Sequence, residues 1–206
     1  MHIAIIIASI LSVFSVTGCS STETQHDKAQ VMISNSDSTQ VIYFAGGCFW
    51  GTEHFFKQVN GVIDTEVGFA NGRTDKPSYE DVVWKNTGYA ETVKVTYDPG
   101  KVDFSLLLDL YFLSIDPTSV NKQGNDIGDQ YRTGIYYTTK QQLPLINQRI
   151  EQEAKKHIQP IAVEVTPIKK YYKAEDYHQD YLDKNPNGYC HINPELFKVA
   201  REANMK

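Results

Sequence analysis

Cys48 is the residue best placed for nucleophilic chemistry in this chain of 206 residues. It lies in the run Gly46-Gly47-Cys48-Phe49-Trp50-Gly51, between a strand-like segment and a helix-like segment. Glycines let the backbone approach a ligand closely, and the start of a helix offers free N–H groups and a positive dipole end, which favour a thiolate. A second interpretation stays open at this point, in which Cys48 is buried and joined to Cys190 in a structural disulfide.

Glu91 is the candidate proton donor. It shares strand parity with the apolar residues Val93, Val95 and Tyr97, so its carboxyl is expected on the buried face. Burial disfavours a charged carboxylate and raises its pKa, which would let Glu91 act as an acid near neutral pH. The alternative is a solvated position at the end of the strand.

Further polar residues occur in turn-like segments, namely Tyr79, Asp126, Tyr131 and His178. A tyrosine hydroxyl can donate a hydrogen bond to an oxygen ligand, although such residues by themselves are more typical of core packing or loop structure. The cysteines and histidines lack the spacing of metal ligands, so no metal site is expected. With 20 Lys and Arg against 25 Asp and Glu, the net charge of -5 also argues against nucleic acid as a partner.

The elements that must position these residues alternate between short strands and longer helices, as in an α/β (α+β) two-layer sandwich. Strands are predicted over residues 41–45, 63–69, 91–97, 133–138 and 161–165. Helices are predicted over residues 49–58, 79–84, 103–115 and 174–182, and from Thr139 with Leu143, Ile146, Ile150, Ala154 and Ile158 on one face. The expected domain, residues 41–206, is ferredoxin-like, with a central mixed sheet built from βαβ-type units and an irregular segment beyond Gly188.

The first residues predict export. The apolar run Ile3 to Val16 is shorter than the roughly 20 residues that span a membrane, and it precedes Gly18-Cys19-Ser20. Residues 1–18 are therefore interpreted as a signal peptide that resembles the lipoprotein type, with Cys19 lipidated and residues 19–40 forming a polar tether. We expect a lipoprotein of the bacterial cell envelope, anchored on the periplasmic side of the outer membrane. Since no basic residue precedes the run, an ordinary cleavage site and a soluble exported protein are the alternative.

Three motifs in this order resemble the A-type methionine sulfoxide reductases, over roughly residues 41–192. They are Gly46 to Gly51, Gln123-Gly124-Asn125-Asp126 through Tyr131-Arg132, and Asn185-Pro186-Asn187-Gly188-Tyr189-Cys190. The resemblance implies that Cys48 attacks the sulfoxide sulfur while Glu91 protonates its oxygen. It also implies supporting residues, which are Tyr79 and Tyr131 for that oxygen, Phe49 and Trp50 for the substrate methyl group, and Asp126 in a polar role.

The resemblance also implies how the enzyme is reset. Cys48 becomes a sulfenic acid, Cys190 condenses with it to form a disulfide, and a thioredoxin-like dithiol reduces the pair. The implied substrates are the S epimer of methionine sulfoxide, free and in oxidised proteins, with no bound cofactor. We expect the chain to be a monomer.

Two departures and two alternatives accompany this hypothesis. Tyr89 stands where the family often has His, and Asn71 where it often has Gly, so the pocket entrance is expected to differ. A thiol peroxidase would also use a reactive cysteine with a resolving partner, but it gains more from cations than from an acid. A lipid-anchored binding protein with a structural disulfide between Cys48 and Cys190 is the alternative outside enzymes.

Overall fold

The computed structural model describes residues 39–205. The signal peptide, Cys19 and nearly all of the tether lie outside the described residues. The strands are β1 (Gln40–Gly46), β2 (Val62–Ala70), β3 (Ala90–Tyr97), β4 (Lys122–Gln123), β5 (Asp126–Ile127), β6 (Thr133–Tyr137), β7 (Glu164–Pro167) and β8 (Tyr171–Lys173). The α-helices are α1 (Phe49–Lys57), α2 (Tyr79–Trp84), α3 (Phe104–Ser114), α4 (Leu143–Ala154), α5 (Tyr181–Lys184) and α6 (Glu195–Glu202).

A six-stranded mixed sheet in the order β7-β6-β1-β3-β2-β8 forms the centre of the domain. The β6–β7 pair is parallel and the other neighbouring pairs are antiparallel. Because β3 lies between β1 and β2 and runs against both, β1-α1-β2 is a βαβ-type unit with parallel outer strands. The same holds for β3-α3-β6, with β1 in between. The mixed sheet of βαβ-type units is thus confirmed, while the finer ferredoxin-like assignment stays a prediction.

The main core lies between one face of the sheet and the helices. Alternate residues of β1 and β3, such as Phe44 and Val93, are fully buried against side chains such as Phe55 of α1 and Leu107 of α3. Each buried side chain of this size stabilises the fold by about 1.5–3 kcal/mol. A smaller cluster covers the other face, formed by Ala45, Ala70, Ala90 and Tyr136. The two-layer arrangement follows from this single helical layer.

Several element predictions were wrong in the second half of the chain. Helix α4 ends at Ala154, which is exposed, and Ile158 beyond it is fully exposed. Residues 174–182 are mostly turns, and only α5 is helical there. The C-terminal segment is irregular up to Pro194 but then forms α6, and the short edge strand β8 was not predicted.

No helix between residues 39 and 205 combines the length and the apolar character that crossing a membrane requires.

Candidate active site

Cys48 stands at the junction between β1 and α1. It occupies the N-cap position of α1 and is 7% exposed. Gly47 before it has a φ of +84°, and a Cβ atom there would lie 2.6 Å from Cβ of Gln123. Because L side chains rarely adopt that backbone conformation, glycine is required for the turn that presents the thiol.

The Gly46 carbonyl is held from two sides. It accepts a hydrogen bond from the Thr52 hydroxyl at 3.2 Å and one from Nε2 of His191 at 2.8 Å. His191 follows Cys190, so the C-terminal segment is tied directly to the strand end that precedes Cys48. Burial lowers the pKa of His191, which is consistent with a neutral ring that donates through Nε2.

Glu91 is buried on the core face of β3, as the strand parity predicts, with only 1% of its surface exposed. Its Oε2 accepts a hydrogen bond from the Phe49 backbone N–H at 3.1 Å, while Oε1 has no partner among the described residues. Burial raises the pKa of Glu91 to about 8, with the Phe49 N–H opposing this and the Asp126 charge adding to it. The carboxyl therefore carries a proton at neutral pH, and the solvated alternative is wrong.

The resting thiol of Cys48 is also protonated. Burial, followed by the charge of Glu91, raises its pKa well above the ordinary value, and a hydrogen bond from the Trp50 backbone only partly opposes this. The expectation that the helix start makes Cys48 a thiolate is wrong for the resting protein, because desolvation outweighs the helix N–H groups. A neutral Glu91 removes one of the two largest obstacles to ionising the thiol.

Tyr79 and Tyr131 are both half-buried beside this pair. Burial, followed by the charge of Glu91, raises the pKa of Tyr79 to about 12, and the same two causes raise the pKa of Tyr131 further. Both therefore remain hydrogen-bond donors at any ordinary pH. Tyr79 is the first residue of α2, and its position depends on the capping box formed by Ser78 and Asp81.

Phe49 and Trp50 form an aromatic wall at the start of α1. The Trp50 ring stacks on Tyr181 with 3.7 Å between ring centroids and an interplanar angle of 13°. Its Nε1–H donates to Nδ1 of His178 at 3.1 Å. The buried His178 ring also lies 5.1 Å from the Phe49 ring and 4.5 Å from the Tyr79 ring. His178, ambiguous from sequence, thus connects three of the predicted site residues.

Asp126 lies at the start of β5 with its Oδ2 buried and without a hydrogen-bond partner in the described structure. Its charge raises the pKa of Glu91, Cys48 and Cys190. Burial and the nearby Asp126 carboxylate raise the pKa of Tyr189 to about 12. Asp126 is therefore part of the same electrostatic cluster, together with a tyrosine that sequence reasoning did not select.

Cys190 lies over the first turn of α1. Its Sγ is so close that a Cβ atom on Gly51 would be only 3.0 Å away. Both Cys48 and Cys190 are free thiols in this structure. Since Gly51 leaves the space that Cys190 occupies, the structure places the Cys190 thiol against the helix that Cys48 begins, near enough for Cys190 to affect the pKa of Cys48.

Sequence reasoning missed Tyr181, Tyr189 and His191. Tyr189 and His191 flank Cys190 and could have been found from that position alone. Tyr181 carries no comparable signal, since its stacking on Trp50 joins segments far apart in the chain. Of the departures from the family pattern, Tyr89 is buried, and Asn71 has a φ of +57° with a side chain that bonds the loop at Lys169.

The arrangement supplies an acid, a nucleophile, two hydroxyl donors and a second thiol. Within residues 39–205 no group of three His, Cys, Asp or Glu side chains could hold a metal ion. The charges acting on Cys48 come from Glu91, Asp126 and Cys190, and all of them raise its pKa. That environment disfavours the resting thiolate that a thiol peroxidase uses. It favours a substrate with an oxygen that can accept the proton of Glu91.

Comparisons with known proteins agree with this chemistry. A family model described as peptide methionine sulfoxide reductase matches residues 40–206. The peptide methionine sulfoxide reductase MsrA of Lachnoclostridium phytofermentans is 53% identical over 164 residues, which cover 80% of this chain and 99% of the relative. The reduced form of Mxr1 from Saccharomyces cerevisiae is 40% identical, with a TM-score of 0.71 over 74% of this chain and 89% of its own. The same yeast protein in complex with Trx2 is 25% identical, with a TM-score of 0.52 over 79% of this chain and 94% of its own.

These similarities cover nearly all of the described fold. They include the strand-to-helix turn with Cys48, the buried Glu91 and the segment with Cys190, all within the matched residues 40–206. The chain therefore belongs to the peptide methionine sulfoxide reductase family.

Proposed function

We propose that this enzyme reduces methionine-S-sulfoxide, free and in oxidised proteins, to methionine. The observation that carries this proposal is the buried Glu91, which is protonated at neutral pH and has one oxygen without a partner among the described residues. A sulfoxide oxygen needs a proton as the sulfur is attacked, and a carboxylic acid beside the thiol provides it. Repair of oxidised proteins is the role that follows.

The first half-reaction uses Cys48 as nucleophile. Its sulfur attacks the sulfoxide sulfur while Glu91 gives its proton to the oxygen, and the hydroxyls of Tyr79 and Tyr131 hold that oxygen. This attack forms a bond between the two sulfurs. The hydroxyl then transfers from the substrate sulfur to the Cys48 sulfur as that bond breaks, so methionine leaves, Cys48 is a sulfenic acid, and the proton of the Cys48 thiol restores Glu91. Phe49 and Trp50 accommodate the methyl group of the substrate, and Asp126 supports the polar side of the site.

The second half-reaction uses Cys190. Its sulfur attacks the Cys48 sulfenic acid, water leaves, and a disulfide forms. A dithiol reductant of the thioredoxin type then restores both thiols by exchange, taking the disulfide onto itself. The complex of the yeast relative with Trx2 supports this class of reductant. Since all the residues named come from one chain, the active form is proposed to be a monomer.

The predicted export signal adds a location to this proposal. Cys19 follows an apolar run and Gly18, and in a lipoprotein it would carry the lipid that holds the enzyme at the bacterial envelope. The reductant must then act outside the cytosol. Incorporation of a labelled fatty acid that disappears in Cys19→Ser would support the anchor, whereas labelling that persists in the variant would contradict it.

The function is tested with the two resolved epimers of a methionine sulfoxide peptide and dithiothreitol as reductant. We expect turnover of the S epimer alone and its loss in Cys48→Ser. Cys190→Ser should complete about one turnover with thioredoxin and stop at the sulfenic acid, which a dimedone label would detect. Failure of the folded, reduced protein to act on either epimer would overturn the proposal.

A further inference from the structure

One face of α1 is in contact with the segment of residues 178–183 along its length. Trp50, Glu53, His54 and Lys57 lie on that face at helical spacing. Trp50 meets His178 and Tyr181, as described above. His54 bonds the Asp183 carboxylate at 2.9 Å, and Lys57 pairs with Asp180 at 2.5 Å and with Asp183.

Glu53 is the buried member of this face, with 2% of its surface exposed. Its Oε2 accepts the backbone N–H of Asp180 at 2.9 Å, and its Oε1 accepts the hydroxyl of Thr65 in β2 at 3.4 Å. No step of the proposed reaction uses this carboxyl. Burying a carboxyl costs free energy unless hydrogen bonds compensate for the lost water. We therefore look for the role of Glu53 in the groups that it bonds.

The backbone that Glu53 holds is strained. Asp180 has a φ of +54°, a left-handed conformation that residues other than glycine adopt at a cost. His178 and Tyr181 stand on either side of Asp180 and make the hydrogen bond and the ring stack that orient the Trp50 indole. The bond from the Asp180 N–H to Glu53 therefore fixes the backbone between the two residues that contact the Trp50 indole.

Other anchors of the segment do not replace this one. The Gln179 side chain bonds the backbone N–H and C=O of Val67 at 2.9 Å each, which ties the segment to β2 and not to α1. The ion pairs from Lys57 join partly exposed groups, and such pairs contribute little. Among residues 39–205, Glu53 is the only side chain of α1 that bonds the backbone between His178 and Tyr181.

We propose that Glu53 is a positioning residue, which holds the backbone at Asp180 so that His178 and Tyr181 keep the Trp50 indole in place for the substrate methyl group. The proposal rests on the proposed function in that it assigns Trp50 to the substrate. It adds a residue that touches neither substrate nor thiol but sets how tightly the sulfoxide binds.

The bond from the Asp180 N–H to Glu53 does not require Glu53 to be ionised. Burial, followed by the charge of Asp180, raises its pKa to about 7, while Lys57 and the Asp180 N–H oppose the shift and Asp183 adds to it. His54 also faces this cluster through Asp183. Near neutral pH, Glu53 is thus partly neutral, and both forms have an oxygen that accepts the Asp180 N–H.

The test uses Trp50 as its own reporter. The chain has two tryptophans, and the other, Trp84, is 80% exposed, so all variants are made in the Trp84→Phe background. In Glu53→Ala we expect faster acrylamide quenching of Trp50 and a KM raised about tenfold, with the saturated single-turnover rate within about twofold of normal. Glu53→Gln keeps an acceptor oxygen and is expected to recover most of the KM.

Lys57→Met is the matched control, because it removes the two ion pairs that Lys57 makes on the same helix face and leaves the bond from the Asp180 N–H to Glu53. We expect its quenching and KM to stay within about twofold of the background protein. Folded Glu53→Ala with normal quenching would overturn the proposal, and so would altered quenching with an unchanged KM. Since quenching needs no turnover, it also separates this proposal from a failure of the proposed function.

Amide hydrogen exchange keeps the proposal testable if Glu53→Ala does not fold. In the unmutated chain the Asp180 amide is expected to exchange at least about tenfold more slowly than that of exposed Asp176. Equal exchange at the two amides would overturn the proposal.

Discussion

The Glu91 carboxyl and the Cys48 thiol are coupled through their charges. Each is buried, and an ionised Glu91 raises the pKa of Cys48. The pair therefore reaches the reactive combination, a thiolate beside a carboxylic acid, only when Glu91 keeps its proton. A substrate oxygen that accepts this proton makes the attack and the proton transfer parts of one event.

Glu91→Gln tests this coupling. The amide carries no charge, so the pKa of Cys48 is expected to fall, and alkylation by iodoacetamide should reach its half-maximal rate at a lower pH. The single-turnover rate should nevertheless drop by about 100-fold at pH 7, because an amide is a poor acid. When the single-turnover rate is divided by the fraction of Cys48 present as thiolate, the result should decline above about pH 8 for the unmutated enzyme. The variant should show no such decline. A normal rate in the variant would remove the acid assignment.

Residue types and parity predicted the burial of Glu91, since alternate residues of a strand share a face. The protonation state of Cys48 could not be predicted in the same way. It depends on desolvation and on charges such as Asp126, which come from other parts of the chain. The roles of the individual residues stay predictions until the variants are measured.

At the scale of elements, the turn between β1 and α1 decides where the thiol points. Its three determinants are the left-handed Gly47, the Gly46 carbonyl bonded by His191, and Gly51 under Cys190. Gly47 is needed for its backbone conformation, and Gly51 is needed for the space it leaves to Cys190. The turn with Cys48 is therefore held in place together with the segment that follows Gly188.

Gly47→Ala is expected to move the Cys48 thiol away from its position beside the Glu91 carboxyl. The left-handed backbone would cost about 1–2 kcal/mol, and the added methyl group would collide with Gln123. We expect the free energy of unfolding in urea to fall by at least that amount and the single-turnover rate to fall more than about tenfold. Gly100→Ala, in an exposed turn, is the control, and equal effects at both positions would contradict the role of Gly47.

The element predictions succeeded where local chemistry decides. Helix α2, capped by Ser78 and Asp81, has its predicted bounds, and α1 and β3 lie within a residue of theirs. They failed where tertiary contacts decide. The helix predicted over residues 174–182 is replaced over residues 174–180 by irregular chain that Gln179 bonds to β2, and β8 exists only by pairing with β2.

At the scale of the whole molecule, the fold buries two acids that would be more stable in water. The pKa of Glu91 is raised to about 8 and that of Glu53 to about 7. When folding raises the pKa of a carboxyl, the protonated carboxyl contributes to the free energy of unfolding. That contribution is fully present below the pKa of the unfolded state, about 4.5, and is lost as the pH rises through the pKa of the folded state. The folded domain should therefore be weakened at alkaline pH.

Unfolding in urea at pH 5, 7 and 9 measures this loss. We expect the free energy of unfolding to decrease by a few kcal/mol, as an order of magnitude, across that range. Glu91→Gln should remove a large part of the decrease and should be more stable than the unmutated protein at pH 9. An equal pH dependence in both proteins would show that Glu91 is not a buried acid in solution.

The sequence by itself determined the reaction class and the order of the main strands and helices, and it predicts the nucleophile and the acid. Such features depend on residue types, short motifs and periodicity, which are local properties. Only the tertiary structure decided that burial raises the pKa of Cys48, that Cys190 lies over Gly51, and that Glu53 accepts the Asp180 N–H. The physical reason is that each of these depends on desolvation or on a contact between residues that are far apart in the chain, which the folded packing alone brings together.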